Sequence, residues 1–242
     1  MNSNNGKQNS GLPFVFVNMA MTADGKIASA NRAVSSFGSA RDLNHLYELR
    51  ATADAVMCGA RTIELSQSIL GIGGGKFRKQ RLKRGLAEYN LRVIVSGSGS
   101  IDPAADIFKM KFSPLIVLTT KRASPKTLSQ LRTLADEVKI CGKSEIDFHM
   151  AFRWLREKWR VKRLLCEGGG ELNDALFRAD LVDEIHLTIC PKIFGGRTAP
   201  TIADGQGLGT LGLAAQFQFH SARKIKGELF TVLTRSKNPD SN

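Results

Sequence analysis

Long apolar runs are missing from this sequence. None approaches the roughly 18 residues that a membrane-spanning helix requires, and the segment from Met1 to Gly11 is rich in Asn, Ser and Gly without the apolar core of a secretory signal. A cytoplasmic protein with no membrane segment is the expectation. Cysteine and histidine are few and scattered. Cys58, Cys141, Cys166 and Cys190, like His45, His149, His186 and His220, fall at no CxxC or HxxxH spacing. That leaves no metal signature and favours reduced, buried thiols over disulfides. GxSxG is absent, as is any Ser-His-Asp or Cys-His constellation, so nucleophilic catalysis has little support. The strand-to-helix turn Gly168-Gly169-Gly170 matches neither GxGxxG nor GxxxxGKS/T, so it carries no nucleotide-loop fingerprint of those two kinds. Acidic residues are in deficit: 22 Asp and Glu stand against 35 Lys and Arg, a formal charge of +13. Such a surplus suits nucleic acid, an anionic surface or an anionic substrate. The basic run from Lys76 to Arg84 has one aromatic, Phe77, and reads more as a solvated loop than as a nucleic-acid surface.

What is present is an ordinary globular composition, 42% hydrophobic and 24% charged. The chain reads as one domain over 13–236, with flexible tails at 1–12 and 237–242 and a basic loop insertion at 71–90 holding at most a short helix. Phe14 to Val17 predicts a buried strand ending in the polar turn Thr22-Ala23-Asp24-Gly25-Lys26. Ser39 can cap a helix from about Ala40 to Ala53 with Leu43, Leu46, Tyr47 and Arg50 on one face. Strands follow at 54–58, 91–95, 115–119, 138–141, 163–167 and 184–190. Helices are expected after Ser124-Pro125, over 147–159 with Ala151, Trp154, Leu155 and Trp159 inward, and after the Gly168-Gly169-Gly170 turn. An antiparallel hairpin at Lys226-Gly227 closes the chain. Strands alternating with helices predict an α/β fold: a mixed, mostly parallel sheet with helices on both faces and a C-terminal antiparallel hairpin.

Three places carry candidate chemistry. The turn Gly168-Gly169-Gly170 between a strand and a helix reads equally as a pyrophosphate cradle and as a tight turn. Glu167 stands at a strand end where an apolar residue would be expected, so its carboxylate needs a partner or a task. Asp24 has the same position after the first strand, although Asp-Gly is also a routine turn pair. Arg50, on the core-facing stripe of its helix, either snorkels or reaches an anion.

Taken together, these segments resemble the reductase domain of riboflavin biosynthesis, which has a dihydrofolate-reductase-like fold. The resemblance rests on Val17-Asn18-Met19-Ala20-Met21-Thr22-Ala23-Asp24-Gly25-Lys26, on Leu49-Arg50-Ala51 and Asp54 to Thr62, on Cys166 to Asn173, on Leu181 to Glu184 and on Pro191 to Gly196. It implies an NADPH-dependent enzyme that converts the ribosylamino group of a pyrimidine 5′-phosphate to a ribitylamino group, and a homodimer. Carried over by motif, it implies cofactor contacts at Ala20, Thr62, Ser66, Ile94, Ser96, Ile146, Gly168, Gly169, Gly170 and Glu171. Substrate contacts are implied at Arg50 and Leu70, and a catalytic role at Glu167 with Asp24 lining the site.

The sequence departs from the family pattern at Ser66, where an aspartate is usual, and at Gly73, where an arginine is usual. Lys76 or Arg78 could substitute for that arginine by folding over the substrate phosphate as a lid hinged at Gly73, Gly74 and Gly75. Arg92, Lys121 and Arg122 are candidates for reading a 2′-phosphate. The HxE and PCxxC signature of the zinc deaminase often fused to bacterial members does not occur in the sequence, so a stand-alone reductase is expected. The same fold with another pyrimidine or pterin-like substrate, or a basic nucleic-acid-binding protein on it, remains open.

Overall fold

The computed structural model describes residues 11–32 and 37–236; apart from Gly11 and Leu12, the expected tails lie outside them. In chain order these residues form β1 (Phe14–Thr22), α1 (Ala40–Arg50), β2 (Ala55–Gly59), α2 (Ala60–Ser66), α3 (Gly75–Lys83), β3 (Leu91–Val95), α4 (Asp106–Lys109), β4 (Leu115–Thr119), α5 (Pro125–Leu134), β5 (Glu137–Ile140), α6 (Phe148–Lys158), β6 (Arg163–Cys166), α7 (Gly170–Arg178), β7 (Glu184–Cys190), β8 (Phe217–Ile225) and β9 (Glu228–Arg235). Among them no helix is long and apolar enough to cross a membrane. The described residues divide into two compact units, one made of 11–14 and 44–167, the other of 15–32, 37–43 and 168–236.

In the first unit five parallel strands run in the order β5-β4-β3-β2-β6. Central parallel strands are covered on both faces, which is why β2 and β4 read as continuous apolar runs. Val56, Met57, Ile94, Ile116 and Val117 are fully buried, each side chain stabilising the unit by about 1.5–3 kcal/mol. Capping follows the sequence. Ser124 accepts from the Thr127 N–H at 3.1 Å with Pro125 in the first turn of α5, and Asp147 accepts from the Met150 N–H at 2.9 Å to start α6.

In the second unit β1 and β7 are parallel, and the β8-β9 hairpin joins β7 antiparallel through β9, in the order β7-β9-β8. Lys226 (φ 48°) and Gly227 (φ 89°) both adopt the left-handed region that a two-residue hairpin turn requires. The register of β8 on β9 shifts between Phe219 and Ser221, which marks a bulge. The mostly parallel α/β arrangement with a C-terminal hairpin agrees with the sequence.

Three expectations are corrected. The supposed loop at 71–90 contains a nine-residue helix, α3, whose Phe77 packs with Ala51, Ile72 and Tyr47. On α1 the buried residues are Leu49 and Arg50, while Leu43 is exposed. On α6, Phe148, Ala151, Phe152 and Leu155 face inward. Trp154 is only half-buried, because its ring lies beneath the Lys139 and Lys158 ammonium groups.

Candidate active site

Arg50 ends α1, and Glu167 follows β6, its N–H extending the ladder to the Met57 carbonyl at 2.9 Å. The two side chains meet as a bidentate pair: Arg50 Nε donates to Glu167 Oε1 and Nη2 to Oε2, each at 2.6 Å. Both are largely buried, with side-chain exposures of 6% and 11%. Burial alone would lower the Arg50 pKa, but the charge and hydrogen bonds of Glu167 outweigh it and hold the guanidinium above its usual value. Arg50 Nη1 donates to the Gly71 carbonyl, which Leu70 presents by adopting a left-handed φ of 53°. Tyr47 lies under the guanidinium at 5.6 Å. Of the two expectations for Arg50, the structure thus has it reaching an anion, the Glu167 carboxylate, as well as the main chain. Beside the pair, burial and the Glu167 charge push the Cys58 thiol well above its ordinary pKa, which leaves it protonated and inert.

The other expected residues of the first unit are dispersed around strand ends. Ser66 is exposed, and its hydroxyl donates to the Thr62 carbonyl one turn back along α2. Leu70 and Ile94 are buried at 1% and 0% exposure, so neither presents a side-chain surface. The Ser96 hydroxyl donates to the Ser100 carbonyl, and Ile146 is half-buried just before α6. Arg92 is displaced from its expected task. It stands at the N-terminal part of β3, 1% exposed, donating to the Ile107 and Ser113 carbonyls, and cannot read a 2′-phosphate. Lys121 and Arg122, exposed just beyond β4, remain available. The lid is also revised. Lys76 donates to Asn44, Arg78 pairs with Glu88 and the Tyr89 hydroxyl, and Gly74 and Gly75 form the start of α3 rather than a hinge. At Gly73 (φ 80°) a Cβ would lie 2.9 Å from the Tyr47 ring, which explains why no arginine stands there.

In the second unit Asp24 has three donors. Oδ1 accepts from the Thr22 hydroxyl at 2.5 Å and the Phe194 N–H at 3.2 Å, and Oδ2 from the Gly195 N–H at 2.7 Å. These bonds, the Thr22 hydroxyl foremost, lower its pKa below the usual 3.8. An acid so easily ionised is a poor proton donor at neutral pH, and the geometry gives Asp24 a different job: holding the 194–195 turn. Ala20 is half-buried on β1, opposite Thr188.

The glycine turn is built for close approach. Gly168 has φ 76°, and the Gly168-Gly169 peptide is cis. A Cβ on Gly170 would lie 2.7 Å from the Thr201 carbonyl oxygen. The Asp204 N–H donates to the Gly170 carbonyl, the Asp204 carboxylate accepts from the Thr201 N–H and hydroxyl, and Asn173 donates to the Ile202 carbonyl. Gly169 caps α7 with no side-chain hydrogen bond, and Glu171 is exposed in the first turn. The first-turn N–H groups of a helix have no intrahelical acceptors, so a start without a side-chain cap fits a diphosphate.

Sequence reasoning placed Tyr47 on the face of Arg50 but missed Gly71, Arg81, Thr201 and Asp204. A usable signal existed for Arg81 alone, because it lies four residues after Phe77 and so shares its face in any helix.

A buried carboxylate just past β6, among buried parallel strands, stands where an α/β fold places its ligand chemistry. The model of the RibD C-terminal domain matches residues 13–230, and the chain belongs to that family. A 2,5-diamino-6-ribosylamino-4(3H)-pyrimidinone 5′-phosphate reductase of Methanothermobacter thermautotrophicus is 30% identical over 92% of this chain and 98% of its own length. A reductase of the same name from Archaeoglobus fulgidus is 32% identical over 80% of this chain and 87% of its own. Among solved structures, a pyrimidine reductase-like protein of Corynebacterium diphtheriae superposes with a TM-score of 0.81 at 20% identity, covering 97% of this chain and 96% of its own. At that identity the likeness speaks for the fold.

Proposed function

We propose that this protein is an NADPH-dependent reductase that converts the ribosylamino group of a 2,5-diamino-pyrimidinone 5′-phosphate to a ribitylamino group. The observation that carries the reading is Glu167: a carboxylate fixed bidentately by Arg50, immediately before the glycine turn, in a chain 30% identical over 92% of its length to a reductase of that name. Reduction of the ring-opened substrate breaks a C=N double bond, adding a hydride at sugar C1 and a proton at nitrogen. NADPH, when bound, supplies the hydride.

The residues present fit that cofactor. Within the second unit the main-chain N–H groups of Gly169, Gly170 and Glu171 would hold its diphosphate; Ala20, Thr62, Ser66, Ser96 and Ile146, and Lys121 or Arg122 for the 2′-phosphate, are contacts that the family resemblance implies. Both Glu167 oxygens already accept from Arg50, so their remaining lone pairs orient hydroxyl or amino donors of the substrate. Arg50 keeps that carboxylate from turning.

The test is loss of NADPH absorbance with the diamino pyrimidine and, separately, its deaminated uracil counterpart. Turnover of the first supports the reading, turnover of the second alone corrects the substrate, and turnover of neither overturns the function. We further expect a homodimer, for which the exposed Leu211, Leu213 and Phe219 offer apolar surface. Light scattering that returns the mass of a monomer at micromolar concentration would refute it.

A further inference from the structure

The basic segment has a structural peculiarity that anion attraction does not explain. Arg81, in the last turn of α3, is 1% exposed, and its guanidinium donates to four carbonyls, Ala87 at 2.7 Å, Arg50 at 2.9 Å, Tyr89 at 3.3 Å, and Ala53, with the Asp54 charge acting on it from near by. Asn90 reaches two of the same acceptors, donating through Nδ2 to the Arg50 carbonyl at 2.8 Å and the Ala53 carbonyl at 2.7 Å. Arg84 adds a bond to the Ala51 carbonyl at 3.2 Å. The Arg50, Ala51 and Ala53 carbonyls belong to the end of α1 and the turn after it, where a helix leaves its last carbonyls short of intrahelical donors and carries partial negative charge. Burial lowers the Arg81 pKa to about 10, which still leaves it charged at neutral pH.

Resting on the proposed reductase function, we propose that Arg81 and Asn90 are positioning residues: they clamp the main chain at Arg50, and through the Arg50 guanidinium they fix Glu167. The geometry is specific to that task. Both donors converge on the carbonyl of the one residue whose side chain holds Glu167 bidentately, and that side chain has little freedom left once its backbone is pinned. A buried guanidinium whose hydrogen bonds go to carbonyls is stable only where those carbonyls stay in place, so α3 and the end of α1 are held in one arrangement.

The test compares Arg81→Met and Asn90→Ala, each alone and combined with Glu167→Gln, in the full-length protein. Arg81→Met is expected to lower kcat about tenfold with NADPH affinity unchanged, and to lower it no further in the Glu167→Gln background, because both changes act through the same carboxylate. Equal losses in both backgrounds, or an unchanged kcat well below Tm, would overturn the proposal. Should Arg81→Met fail to fold, Asn90→Ala carries the same comparison. Amide hydrogen exchange gives a readout independent of turnover: faster exchange is expected at 50–58 and at Glu167, and a change confined to 81–90 refutes the clamp. If the wild-type protein reduced no pyrimidine, the proposed function would fall and exchange alone would decide the clamp.

Discussion

Glu167 and Asp24 begin as equals, each a carboxylate just past a strand in its own unit, and the structure separates them by the donors they receive. Glu167 is largely buried and faces a guanidinium. Asp24 accepts from a hydroxyl and two main-chain N–H groups. Removing the partner of the first strands a charge, whereas altering the second loosens a turn. Position at a strand end therefore identifies where chemistry can sit, and the partner decides what kind it is.

Arg50→Met should have the largest effect, since breaking one side of a buried pair costs roughly 3–5 kcal/mol. Denaturant unfolding measures it, and replacing both members with apolar residues should cost much less. A stability loss below about 1 kcal/mol for Arg50→Met would erase the distinction between a buried and an exposed carboxylate. Next, Glu167→Gln should lower turnover about 10²-fold or more with NADPH affinity nearly intact, and Asp24→Asn less than about tenfold. The reverse order in steady-state kinetics would exchange their roles.

Gly170→Ala should weaken NADPH binding about tenfold, because the new methyl group meets a main-chain oxygen that cannot swing away. Titration of cofactor fluorescence reads this, and wild-type affinity would remove the glycine turn from the cofactor site. The smallest effect concerns acid stability. The folded-state pKa of Asp24 lies below 3.8, so its contribution is complete above that pH and is lost as pH falls through the lowered value. The Tm gap between wild type and Asp24→Asn should accordingly shrink only below about pH 4. A gap that closes at higher pH would mean that another group holds the turn.

The strand and helix alternation was legible because central parallel strands are apolar on both faces, and both strand-end carboxylates stood out against that pattern. Their partners did not. Arg50 and Glu167 are separated by 117 positions, Asp24 and Gly195 by 171, and no local periodicity encodes such contacts. The helix at 75–83 was masked by its cations. Counting charge hides that Arg81 repeats the inward face of Phe77 one turn later, and that a guanidinium can be buried where a helix end supplies carbonyls. Arg92 misled in the opposite sense, because a basic residue near a strand says nothing about which end of the strand it occupies.

The register shift in β8 bears on how the molecule resists polymerising. β8 is the outer strand of its hairpin, and an outer strand offers unpaired main-chain groups to any extended chain. Between Phe219 and Ser221 the regular spacing of those groups is broken, and the exposed Arg223 and Lys224 follow within the same strand. A second strand laid along this edge would meet an interrupted ladder and then like charge. Copies of the protein that meet at this edge therefore find no unbroken ladder to extend.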